Sequence, residues 1–103
     1  MKKYLEMIFV QIPEILAPAG DFQSLIAAVE NGADAVYLGG KAFNARAFAG
    51  NFDDEEMAKA IEYAHLRNVK IYVTVNILID NSELKDALSY IKTLYNLGVD
   101  GLI

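Results

Sequence analysis

Asn31-Gly32-Ala33-Asp34-Ala35-Val36-Tyr37-Leu38-Gly39-Gly40 is the stretch that decides the fold. Gly32 tolerates the left-handed conformation that ends a helix and turns the chain back. The run from Ala35 to Leu38 lacks polar alternation and so reads as a parallel strand covered on both faces. Arg67-Asn68-Val69-Lys70-Ile71 and Leu97-Gly98-Val99-Asp100-Gly101-Leu102 repeat the arrangement, each with Asn or Gly just before a strand. One supersecondary unit is being reused.

Outward from these turns lie three segments with helical periodicity. Phe22, Leu25, Ile26 and Val29 form the first, with Asp21 as N-cap and Gly32 past its end. Met57, Ala60, Ile61 and Ala64 form the second, with Asp53 and Glu56 at capping-box offset. The third places Leu84, Leu88, Ile91 and Tyr95 on one expected core face, with Asp80 and Glu83 as a second capping box and Gly98 as the stop. Strands are expected at Glu14 to Ala17, Ala35 to Leu38, Lys70 to Val75 and Asp100 to Ile103.

The fold class is therefore α/β, in the order β-α-β-α-β-α-β. Right-handed crossovers lay such units side by side, and eight of them close a barrel of about 250 residues. Residues 1–12 read as an N-terminal extension and 13–103 as the N-terminal part of a TIM-type (β/α)8 barrel, about three and a half units, stopping inside the fourth strand. The alternative is a small open flavodoxin-like parallel sheet, which lacks a Gly-rich phosphate turn after the first strand.

The chain has 103 residues, 54% hydrophobic and 22% charged, and a net charge of −5, so no broad electropositive face for a nucleic-acid backbone is expected from this segment. It contains no Cys and one His, which excludes a disulfide, a thiolate metal site and a zinc site built by His65 alone. The apolar patch after Lys2 and Lys3 is short, carries Glu6 and Gln11, and ends in no small-residue cleavage pattern, so a cytoplasmic location is expected rather than secretion. No run approaches the roughly 20 apolar residues of a membrane span.

Functional residues of parallel folds gather where strands end and βα loops begin. That rule selects Pro18 to Asp21, Gly39 to Phe52 and Asn76 to Asn81. The middle segment reads as a long loop of two cations, two asparagines and three phenylalanines. Arg46 has the fork to hold a carboxylate or phosphate, and Asn44 the amide to orient it. The bland reading packs the phenylalanines on the rim and pairs Arg46 with an acid. Gly39 and Gly40 would admit close approach of a ligand, and Thr74 and Asn76 would offer hydrogen bonds, although Asn76 serves equally to satisfy loop backbone. These five positions, Arg46, Asn44, Asn76, Gly39 and Gly40, are the candidate substrate-binding set.

Asp21 reads as a cap rather than a ligand. Asp53-Asp54-Glu55-Glu56 reads as a solvated acidic helix start that complements the helix dipole, and His65 as a residue favoured at a helix C-terminus. No Ser-His-Asp or Cys-His set can be assembled, so the segment points to no catalytic residue.

The strings Pro13-Glu14-Ile15-Leu16-Ala17-Pro18-Ala19-Gly20-Asp21, Asn31 to Gly40, Phe43-Asn44-Ala45-Arg46 and Val73-Thr74-Val75-Asn76 resemble the N-terminal region of the peptidase U32 family, the collagenase-like proteases. The resemblance implies a barrel in a protein several times longer, bacterial or archaeal, with either a protease label or a role in tRNA or rRNA hydroxylation, and in some members ubiquinone hydroxylation. It also implies, for several members, an iron-sulfur cluster held by cysteines that lie downstream and are absent here. The partner implied for such a parent is a small anionic or nucleotide-like substrate, or a peptide. The alternative, for the segment alone, is a noncatalytic half-barrel whose edge strands and apolar interior drive self-association.

Overall fold

Each helix ends in the same cap, and that cap positions everything else. In the computed structural model, which describes residues 13–44, 52–76 and 84–103, Gly32, Asn68 and Gly98 have φ of 95°, 60° and 94°. The next N–H in each case reaches back five residues: Ala33 to the Ala28 carbonyl at 3.0 Å, Val69 to Ala64 at 2.9 Å and Val99 to Leu94 at 3.2 Å. This is the Schellman arrangement, three times over, and it delivers the chain to the start of a strand.

The elements are β1 (Leu16–Pro18), α1 (Phe22–Glu30), β2 (Ala35–Asn44), α2 (Asp54–His65), β3 (Lys70–Asn76), α3 (Leu84–Leu97) and β4 (Gly101–Leu102). The strands form one parallel sheet in the order β1-β2-β3-β4. The architecture is α/β with an open four-stranded parallel sheet. Its order contains no reversal, whereas the doubly wound flavodoxin order places the first strand between the second and the third.

The N-termini of α1 and α2 form as their caps dictate. Asp21 accepts from the Ser24 N–H at 2.7 Å. Asp53 accepts from Glu56 N–H at 2.8 Å while Glu56 accepts from Asp53 N–H at 3.2 Å, a complete capping box. Asp54, Glu55 and Glu56 are exposed in the first turn of α2, as a solvated acidic start requires. Asp80 and Glu83 lie outside the described residues.

The core lies between the helices and one face of the sheet. Val36 and Leu38 of β2 and Ile71 and Val73 of β3 meet Leu25 and Val29 of α1, Met57, Ala60, Ile61 and Ala64 of α2, and Tyr90 and Leu94 of α3. Because strand residues alternate, Tyr37, Gly39, Tyr72 and Thr74 occupy the other face, against which none of the described helices packs. There Gly101 makes room for a neighbour, since a Cβ on it would stand 2.7 Å from the Tyr72 ring.

Two expectations need correction. The core face of α3 is Ala87, Tyr90 and Leu94; Leu84, Leu88 and Tyr95 are exposed, Tyr95 to 80%. The helix has two apolar stripes, and the rotation that seats Tyr90 over the sheet leaves the longer one beside β4, where Ile91, Leu94, Tyr95, Val99 and Leu102 line a shallow groove of about 230 Å³. Second, β2 does not end at Leu38 but continues to Asn44. The register passes from Gly39↔Thr74 directly to Asn44↔Asn76, so extra residues of β2 bulge out and the strand resumes pairing beyond them. Alternation alone does not reveal a strand that breaks its own period.

Candidate functional site at the carboxyl rim

The bulge brings two candidate residues together. Asn44 and Asn76 are register partners of adjacent parallel strands at the carboxyl ends of β2 and β3, although 32 positions separate their numbers in the chain. Gly39 and Thr74 form the paired row just below them. The Thr74 hydroxyl donates to the Leu38 carbonyl at 3.4 Å and so is partly used within the sheet.

Phe52 closes the other side. Its N–H donates to the Gly39 carbonyl at 2.9 Å, it makes a parallel bridge with Gly40, and its side chain is buried in the core. The chain therefore returns at Phe52 to the same point from which it departs at Gly40. Arg46 lies outside the described residues, as do the positions from 77 to 81 that follow β3.

Gly40 has an occupant for the space its missing side chain leaves. A Cβ there would overlap the Tyr90 hydroxyl and stand 3.1 Å from Tyr90 Cζ and 3.7 Å from the Phe52 carbonyl oxygen. Gly39 is on the uncovered face by alternation, so of the two glycines it is the one whose bare side meets the open surface of the sheet. Burial, followed by the nearby negative charge of Asp54, pushes the Tyr90 phenol above its ordinary pKa, which keeps the hydroxyl protonated.

Asp21 has the opposite environment: the Ser24 backbone N–H, and then its hydroxyl, hold the exposed carboxyl below its ordinary value. That is the signature of a cap. His65 sits at the far end of the sheet from the rim, in the last turn of α2 as expected, but its partner was not expected: Nε2 lies 2.6 Å from Asp100 Oδ2. The same carboxylate oxygen accepts the Ile71 N–H at 2.7 Å. Asp34 does the equivalent for β1, accepting the Ile15 N–H at 2.6 Å. The clue available in the sequence was that both acids fall two residues after the left-handed glycine.

Among the described residues no group of three or more His, Asp or Glu side chains is placed to hold a metal ion, and no helix is long and apolar enough to cross a membrane.

Sequential parallel strands with one helix layer define a βα-repeat protein, a class in which ligand sites gather at the carboxyl ends of the strands. The sequence then names the family: residues 20–103 match the model of peptidase family U32, and the chain belongs to that family. It is 42% identical over 96 residues to the tRNA hydroxylation protein P1 of Bacillus subtilis (strain 168), covering 93% of this chain and 23% of that protein. Over 90 residues it is 42% identical to the 23S rRNA 5-hydroxycytidine C2501 synthase of Escherichia coli (strain K12), covering 87% of this chain and 14% of that one. It is also 37% identical over 91 residues to a collagenase of Porphyromonas gingivalis (strain ATCC BAA-308 / W83), covering 87% of this chain and 22% of that one. The chain thus spans less than a quarter of the length of each of these relatives.

Proposed function

We propose that this chain is the N-terminal βα segment of a (β/α)8 barrel in a U32 enzyme of the RNA-hydroxylating kind, and that its carboxyl rim binds a small anionic or nucleotide-like substrate. The observation that supports the site is the Asn44↔Asn76 pairing above the Gly39↔Thr74 row, in which the carboxyl ends of two adjacent strands share one rim. Arg46, two residues beyond Asn44, would supply the charge for a phosphate. Gly39 would leave the floor open, and Gly40 would shape it from beneath. The uncovered sheet face and the apolar stripe of α3 beside β4 support the barrel, since further βα units would cover both.

The relatives named for tRNA and rRNA hydroxylation favour that branch over proteolysis. A thiolate-held iron-sulfur cluster finds no ligand in these residues, because the chain has no cysteine. The test is nucleoside mass spectrometry of tRNA and rRNA from cells that lack the gene. Loss of a hydroxylated pyrimidine, restored by the wild-type gene and not by Arg46→Ala, is the expected result. Unchanged nucleosides together with lost gelatin digestion would turn the assignment to the protease branch.

A further inference from the structure

Among the described residues Tyr90 is the one buried tyrosine of the core, 8% exposed, and its hydroxyl reaches from α3 to Gly40 of β2. Three elements converge on it. Gly40 of β2 leaves the space that its hydroxyl fills, the Phe52 carbonyl borders that space, and Asp54 opens α2 beside it. Nothing in the periodicity of α3 would single it out, since the other buried residues of its stripe are only Ala87 and Leu94.

We infer that Tyr90 is a positioning residue for the rim: by filling the Cβ space of Gly40 it sets the neck at which β2 leaves the sheet and Phe52 returns. The functional consequence rests on the rim reading above. A phenol suits the task better than an aliphatic side chain, because its rigid ring carries the hydroxyl across the core while losing little rotamer freedom. The neck in turn sets where Asn44 meets Asn76, since the bulge begins at Gly40. Tyr90 acts on the rim only through the backbone.

The pair Gly40 and Tyr90 makes the inference testable by compensation. Gly40→Ala places a methyl where the hydroxyl stands and should speed hydrogen exchange of the Phe52 amide, bonded to the Gly39 carbonyl, by tenfold or more. Tyr90→Phe alone should also speed it. Combined, Tyr90→Phe should slow the exchange of Gly40→Ala rather than add to it, because the overlapping oxygen is gone while Cζ stays 3.1 Å from the new methyl. Uridine 5′-monophosphate serves as the ligand probe in calorimetric titration. Its affinity should fall several-fold in Tyr90→Phe and in Gly40→Ala, and recover in part in the double variant. Additive exchange, or an affinity insensitive to Tyr90→Phe while Arg46→Ala abolishes it, overturns the positioning role and leaves the rim reading standing. Absence of any affinity in the wild-type chain overturns the rim reading and the positioning role together.

Discussion

His65 and Asp100 meet at 2.6 Å, Nε2 to Oδ2, and tie the C-terminal end of α2 to the start of β4. The Asp100 oxygen also takes the Ile71 N–H at 2.7 Å, so one carboxylate holds β3, β4 and α2 together.

The strand-start bond should matter more than the histidine. Ile71 N–H is part-buried, and leaving such a donor without a partner costs about 1–3 kcal/mol. Both side chains of the His65 pair are roughly a third exposed, at 39% and 31%, where such contacts are worth about 0–1 kcal/mol. Asp100→Ala should therefore destabilise the chain more than His65→Ala in urea unfolding. Asp100→Asn, which keeps an acceptor for Ile71, should lie between them. Equal losses for the two alanine variants would show the histidine contact to be the dominant one.

The two stripes of α3 should separate clearly. Leu94 is 1% exposed in the core, so Leu94→Ala should cost about 2–5 kcal/mol. Leu88 is 57% exposed, and Leu88→Ala should stay within about 0.5 kcal/mol. Equilibrium urea curves of both variants decide it; the reverse order would mean that the helix is rotated from the position described.

Gly32 isolates the conformational cost of a cap. At φ 95° it has no neighbour within 4 Å of where a Cβ would stand, so Gly32→Ala meets no clash and pays only the left-handed backbone, about 1–2 kcal/mol. Gly32→Asn should cost less, because Asn tolerates that region, as Asn68 does at φ 60°. Thermal melting of the two variants orders them, and equal melting points would remove the backbone argument.

Acid should act through Asp21 in a defined direction. Its pKa is lowered below the ordinary 3.8 in the folded chain by the bond from Ser24 N–H, so the unfolded chain takes up the proton first. The stabilisation is complete well above pH 3.8 and is lost as pH falls through the folded value. The stability gap between wild type and Asp21→Ala should be constant from neutral pH down to about pH 5 and shrink below pH 4. Urea midpoints measured from pH 7 to pH 3 test this, and a gap that widens in acid would contradict it.

Periodicity and turn chemistry in the sequence alone determined the order of elements, the parallel sense of the strands, the caps at Asp21 and Asp53, and the three left-handed turns at Gly32, Asn68 and Gly98. The caps and turns are local matters, settled by residues within about one helical turn of each other. The family was legible for the same reason, in contiguous strings around those turns. Which stripe of α3 enters the core, the bulge that pairs Asn44 with Asn76, the space in Gly40 that Tyr90 fills and the join of His65 to Asp100 were decided only by tertiary structure. Each depends on atoms brought together from distant parts of the chain, where packing chooses among local options that the sequence leaves equally open.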